Sequence, residues 1–347
     1  MLYQTKNPHG GDREGRTIKL DFSVNTNPLG PPEAVRRAVV ESTGALDQYP
    51  DPRCRTLVWA LAEHEGVPED CILCGSGAAE LIYSYCAAVR PRRALELAPT
   101  FSEYASALEA AGCRVERWNL RSENGFALGA DFPEALAEGD WDAVFLCTPN
   151  NPTGQLIAPD LLEDICRVCK DRGIRLFLDE CFLDLSGGLS MKAALADFPG
   201  LFLLRAFTKT YAMAALRLGY CLSADRALLA AMSRTAQPWN VSGPAQAAGV
   251  AALASGDYLE RSRKLIREER AFLAEELEKL GFAPCPSQAN YLLFYSPEDL
   301  FAPLLERGVL IRDCSNYHGL GPGWYRAAVR TREENLQFLE ALRETIT

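Results

Sequence analysis

Between residues 71 and 222 short apolar runs alternate with amphipathic ones, and this alternation restricts the fold more than any other feature of the chain. Residues 71–74, 94–97, 114–120, 143–147, 174–179, 201–207 and 218–222 read as strands, with helices expected over 78–89, 102–111 and 159–172. Strands that follow one another through helices pair in parallel, and a parallel sheet needs cover on both faces. The expected class is therefore α/β: a three-layer α/β/α large domain with a mainly parallel sheet. Sites on such sheets lie at the carboxyl ends of the strands, so the residues just after each strand are the ones to inspect for chemistry.

The flanks have a different texture. Residues 1–32 lack helical periodicity and are rich in glycine and proline, from His9-Gly10-Gly11 to Pro28-Leu29-Gly30, so they must lie across another part of the molecule. Helices are expected over 31–42 and 55–65, joined by the extended connector Gln48-Tyr49-Pro50-Asp51-Pro52. Beyond Pro238 one long charged helical stretch, 243–279, is followed by a strand at 290–295 and a helix at 297–307. Short strands near 309–311 and 325–329 and a closing helix from Glu333 complete a smaller α+β domain. The expected division is an N-terminal arm and small-domain segment over 1–48, a large domain over 49–237 and a C-terminal small domain over 238–347.

With 46 acidic residues against 36 basic ones, the net charge of −10 argues against nucleic acid and against an anionic membrane surface as partners. No apolar run approaches the length of a membrane span and the N-terminus has no apolar leader, so a cytoplasmic protein is expected. Twelve cysteines include two CxxC pairs, Cys71/Cys74 in a strand and Cys166/Cys169 in a helix. Zinc knuckles sit on turns, so the expectation is reduced, mostly buried thiols and no metal, with a metal or redox role as the lesser alternative.

Five strand ends carry candidate chemistry. Lys209, in Arg205-Ala206-Phe207-Thr208-Lys209-Thr210-Tyr211, follows an apolar strand, and Arg217 returns beside Gly219. Burial and a like charge both disfavour the ammonium form, and a neutral amine is what Schiff-base chemistry requires; the alternative is a surface lysine with an apolar stem. Asp179 ends the apolar run Phe177-Leu178-Asp179 and needs a cationic partner if buried, for which a protonated pyridine nitrogen would serve; otherwise it caps a turn. In Thr148-Pro149-Asn150-Asn151-Pro152-Thr153-Gly154 two prolines stiffen a loop that presents an amide. Gly75-Ser76-Gly77 at a strand-to-helix junction offers backbone N–H groups to a phosphate or is simply a tight turn, and Phe101 offers a ring for stacking or packs in the core.

Taken together, in order and spacing, these motifs resemble the fold-type I pyridoxal-phosphate enzymes of the aspartate aminotransferase superfamily. The resemblance spans nearly the whole chain. It implies pyridoxal 5'-phosphate as cofactor, Lys209 as the Schiff-base lysine, Asp179 as the partner of the ring nitrogen, Asn151 as the donor to the ring hydroxyl and Phe101 as the stacking ring. Ser76, Gly77, Thr208 and Arg217 match the phosphate cup, and Tyr49 matches the tyrosine that reaches the neighbouring subunit's phosphate, implying a homodimer with shared active sites. Phe182 stands where many relatives have a tyrosine donor, and Ala206 where they often have a hydroxyl.

Within the superfamily the sequence is most similar to the histidinol-phosphate aminotransferase and L-threonine O-3-phosphate decarboxylase families. The opening from His9 to Gly30, Phe182, and the close from Ile311 to Thr331 with Arg330 in place of a usual glycine favour the decarboxylases. That resemblance implies a phosphorylated amino acid as substrate, with Arg326 on its carboxylate and Arg312, His9 and Asn25 on its phosphate. Two arginines suit two anionic groups because each can bind in forked geometry. An aminotransferase, or a decarboxylase of O-phosphoserine, is the alternative.

Overall fold

The computed structural model describes residues 9–346. Its central sheet has seven strands in the order Ile72–Gly75, Gly219–Leu222, Leu201–Ala206, Arg175–Asp179, Ala143–Cys147, Arg93–Ala98, Arg114–Asn119. Gly219–Leu222 runs antiparallel to both neighbours, and every other pairing is parallel. Leu201–Ala206 and Ala143–Cys147 are buried at every position, as helices on both faces require. On one face Phe145, Phe177 and Phe202 stack across three strands with centroids 4.5 and 5.0 Å apart.

The covering helices begin and end where local chemistry dictates. Pro159–Arg172 opens on a proline whose missing N–H costs nothing there, carries Asp160 in its first turn and Lys170 and Arg172 in its last, and stops at Gly173 with φ 68°. Two helices longer than a single turn lie outside the sequence expectation: Phe132–Glu138, and Arg226–Thr235, which is capped by Asp225 accepting from the Leu228 N–H at 2.9 Å.

The stretch expected as one helix over 243–279 is two, Gly243–Leu253 and Tyr258–Lys279. Gly256 takes a left-handed conformation, φ 54°, between them, and helix-forming residues on both sides hid the break from a periodicity count. The first helix buries Ala245, Ala248 and Ala252 in the core that includes Leu57 and Leu61 of Arg55–Glu65, so it packs with the large sheet's layer. The second reaches across to Asp184, whose carbonyl accepts from Arg263 Nε at 2.6 Å. The helix expected over 297–307 contracts to Phe301–Glu306, because Ser296 Oγ takes the Glu298 N–H at 3.2 Å and holds a turn.

A second, antiparallel sheet joins Arg312–Asp313, Trp324–Ala328 and Tyr291–Tyr295. The arm is tied beside it through Leu20–Asp21, which forms a separate two-stranded parallel sheet with Val309–Leu310. Asn27 then fastens the arm to the large sheet: its N–H donates to the Lys209 carbonyl at 3.1 Å and its Nδ2 to the Thr210 carbonyl at 2.9 Å. All twelve cysteines are free and buried, and no cluster able to hold a metal occurs among the described residues. No described helix is long and apolar enough to cross a membrane.

The antiparallel strand fixes the turn at the sheet's functional edge. A Cβ on Gly219 would lie 2.8 Å from the Ala78 nitrogen and 2.9 Å from the Gly77 carbonyl carbon, backbone atoms that cannot rotate away. Gly219→Ala is expected to lower stability by about 1–3 kcal/mol through overpacking, read as an earlier urea midpoint; an unchanged midpoint would show that the turn yields freely.

Candidate active site

The carboxyl ends of the sheet border a cavity of about 220 Å³. Asp179 arrives at the end of its own strand, Lys209 on the helical turn Phe207–Thr210 after Leu201–Ala206, Asn151 on the proline-stiffened loop, and Phe101 just beyond Arg93–Ala98. Arg312 and Arg326 enter the same cavity from the small sheet, and His9 and Asn25 from the arm.

Asp179 is buried, and Tyr104 donates its hydroxyl to Oδ2 at 2.5 Å while the Cys181 N–H donates to Oδ1 at 2.8 Å. Burial pushes its carboxyl above the usual range, opposed by those two hydrogen bonds, which favour the anion. A carboxylate held this way beside a cavity invites a cation. Lys209 shows the opposite displacement: loss of hydration first, and the Arg326 charge next, bring its pKa down to about 8. The sequence reading gave the like-charge role to Arg217, but Arg326, far along the chain, exerts the larger effect. The Phe182 ring centroid lies 5.8 Å from Lys209 Nζ.

At the glycine turn the expectation of free N–H groups needs correcting. The Ser76 N–H donates to the Glu80 carboxylate and the Gly77 N–H to the Gly75 carbonyl at 2.8 Å, so the turn consumes both donors. Glu80 folds back from the following helix and is itself held by Asn240 Nδ2 at 2.9 and 3.0 Å. Ala78, Ala79 and Thr208 line the cavity instead, together with Arg217. Gly77, at φ +83°, has the Arg217 guanidinium directly over it, since a Cβ there would meet Nη2 at 2.6 Å.

Asn151 accepts at Oδ1 from Arg326, and from the Tyr317 hydroxyl at 3.4 Å, so its amide nitrogen is the end left for a ligand. Arg326 also donates to the Ser23 carbonyl at 3.0 Å, and Asn25, with its amide oxygen turned inward, accepts from Arg326 Nη1 at 3.2 Å. Arg312 donates to Asn316 Oδ1 at 2.7 Å and lies over the Tyr317 ring. Phe101 is half-buried, edge-on to Tyr104 and 5.6 Å from the His9 ring.

Two residues singled out from the sequence stand elsewhere. Tyr49 is 79% exposed and stacks on Trp239 at 4.5 Å, outside the cavity of its own chain. Arg330 does not line the cavity either; it donates to the Asp21 carbonyl and to Thr26 Oγ1 at 3.5 Å, binding the arm to the small sheet. Tyr104, Cys181 and Tyr317 were missed. No local signal in the sequence marks any of the three.

In the cofactor-free protein the Lys209 amine should become reactive toward reductive methylation as pH rises through about 8. Arg326→Gln removes a repelling cation and is expected to move that midpoint upward, measured by mass spectrometry of the modified peptide; a downward or absent shift would refute the electrostatic assignment.

Comparison with known proteins agrees with this geometry. The chain is 41% identical to the threonine-phosphate decarboxylase of Salmonella typhimurium over 98% of this chain and 96% of the relative. Among solved structures, the histidinol-phosphate aminotransferase from Clostridium acetobutylicum superposes with a TM-score of 0.87 at 29% identity, covering 94% of this chain and 98% of that one. The histidinol-phosphate aminotransferase from Sinorhizobium meliloti in complex with pyridoxal-5'-phosphate shares the fold, with a TM-score of 0.85 at 24% identity over 96% of this chain and 92% of that one. The aminotransferase class I and II family matches residues 17–342, and the chain belongs to that family.

Proposed function

We propose that this protein binds pyridoxal 5'-phosphate and decarboxylates L-threonine O-3-phosphate to (R)-1-amino-2-propanol O-2-phosphate, a building block of the cobalamin nucleotide loop. The observation that carries this reading is that two buried guanidiniums, Arg312 and Arg326, open onto the same cavity as the Lys209 amine and the Asp179 carboxylate. A substrate with a carboxylate at one end and a phosphate at the other matches that charge pattern. The 41% identity to a threonine-phosphate decarboxylase supports the same choice.

The residues present fit the cofactor. A depressed lysine faces the cavity, a buried carboxylate there lacks an ion-pair partner among the described residues, and a glycine leaves room for the Arg217 guanidinium. When bound, pyridoxal phosphate supplies an electron-accepting ring for the bond broken at Cα. Lys209 would be its point of attachment, Asp179 would pair with its ring nitrogen, Asn151 would donate to its hydroxyl and Phe101 would pack against it. Ser76 through its hydroxyl, Thr208, Arg217 and the turn at Gly77 hold the phosphate. Tyr49, exposed on its own chain, reaches the phosphate of a second subunit, which makes the working unit a homodimer with shared sites.

Arg326 binds the substrate carboxylate, and Arg312, Asn25 and His9 bind its phosphate. Gripping both ends fixes which Cα substituent is aligned to leave, and the carboxylate departs as CO2. Lys209 Nζ then delivers a proton to Cα. The arm over 1–48, the large domain over 49–237 and the small domain over 238–347 thus each contribute to one site. The fully reduced complement of twelve cysteines suits the cytoplasm.

Purified protein given pyridoxal phosphate and L-threonine O-3-phosphate, without any oxo acid, should release CO2 and aminopropanol phosphate. Lys209→Ala should abolish release, and Asp179→Asn should slow it on the order of a hundredfold or more. The likeness to a histidinol-phosphate aminotransferase structure favours a second reading, transamination. Absence of CO2, together with amino transfer from histidinol phosphate or glutamate, would establish that reading instead.

A further inference from the structure

We propose that Glu103 is a positioning residue that aims His9 at the substrate's phosphate group, an inference that rests on the substrate reading above. Glu103 opens the helix Glu103–Ala110, and both of its carboxylate oxygens are engaged. Oε1 accepts from His9 Nε2 at 2.8 Å and Oε2 from the Tyr83 hydroxyl at 3.0 Å. Tyr83 comes from the helix Ala78–Val89, so the carboxylate is fixed from two directions before the arm meets it.

The imidazole is further confined by the Phe101 ring at 5.6 Å. Behind it the arm is pressed onto Ser23: a Cβ on Gly10 would lie 2.3 Å from the Ser23 carbonyl oxygen, and the Gly11 N–H donates to Ser23 Oγ at 2.8 Å. His9 is thus held at its ring, its backbone and one nitrogen, at the cavity's rim.

The chemistry of imidazole gives this contact its purpose. A neutral ring has one N–H, and here Nε2 must carry it, because an ionised carboxylate only accepts. Nδ1 is then the nitrogen left for a phosphate oxygen, to which it donates when the ring holds a second proton. Glu103 is suited to the task, since the hydrogen bond from His9, followed by that from Tyr83, holds its carboxyl below the usual range against the effect of burial. Asp12, Arg16 and Arg312 also border the space around His9, and Glu103 is the carboxylate in hydrogen-bond contact with its ring.

An ordinary surface ion pair would leave substrate binding untouched, and His9, 43% exposed, adds little to stability through this contact. The deciding experiment is a double-mutant cycle on the loaded enzyme with L-threonine O-3-phosphate. His9→Gln and Glu103→Gln should each raise KM roughly tenfold with kcat within about twofold. The double variant should be no worse than His9→Gln alone, because Glu103 acts through the imidazole. Tyr83→Phe, which keeps the carboxylate and frees one oxygen, should give a smaller rise in KM and serves if Glu103→Gln does not fold. Nitrogen-15 NMR of His9 provides a readout independent of turnover: Nε2 should carry the proton in the parent and lose that preference in Glu103→Gln. Additive effects, a silent Glu103→Gln beside an impaired His9→Gln, or a parent ring protonated at Nδ1 alone would overturn the role of Glu103. If His9→Gln itself leaves KM unchanged, the placement of the substrate phosphate fails, and the role of Glu103 with it.

Discussion

A buried cation between two carboxylates underlies the site. Arg205 reaches Glu180 at 2.9 Å and Asp184 at 2.6 Å, and the first two are almost wholly buried. They lie at the ends of neighbouring parallel strands, Leu201–Ala206 and Arg175–Asp179, whose next functional residues are Lys209 and Asp179. Glu180 uses its remaining capacity on the Met191 N–H at 3.0 Å and Ser190 Oγ at 2.8 Å. Removing one member of such a pair leaves a buried charge unmatched, at a cost of about 3–5 kcal/mol. The strand ends are therefore locked, and the amine and carboxylate inherit a fixed separation without touching each other.

The substrate end is built on a different principle. No single element supplies it: Arg326 comes from the small sheet, Ser23 and Asn25 from the arm, and Asn151 from a loop of the large sheet, yet one guanidinium touches all three partners. Asn27 and Arg330 bind the arm to both sheets through backbone carbonyls. Residues 9–32 have almost no regular structure of their own, and their hydrogen-bonding needs are met by the parts they join. This explains why a segment rich in glycine and proline is ordered, and why two arginines reach the cavity largely buried.

The sheet was legible in the sequence because buried parallel strands read as uninterrupted apolar runs, and Ala143–Cys147 is such a run. Lys209, Asp179 and Asn151 were legible for a related reason, since each follows a strand in a fixed local frame. Contacts made between elements were not. Nothing local marks Tyr104 as the donor to Asp179, or Arg326 as the cation that outweighs Arg217 at Lys209. The N–H groups at Ser76 and Gly77 misled because Glu80, a turn further on, takes the first and the Gly75 carbonyl takes the second. Arg330, read as a feature of the decarboxylase relatives, secures the arm in the structure. A left-handed glycine inside a charged helical run is likewise invisible to a count of hydrophobic spacing.

The twelve buried thiols bear on what happens when the protein comes apart. In the folded state desolvation pushes Cys86 and Cys166 up to about 12, and of the twelve only Cys54 is displaced downward, so the thiols are poor nucleophiles. Unfolding returns them to water at ordinary acidity, many on one chain, where air oxidation can join any two. Denaturation without reductant then becomes a one-way event whose apparent midpoint follows the heating rate, and the lifetime of the protein is governed by how fast it opens.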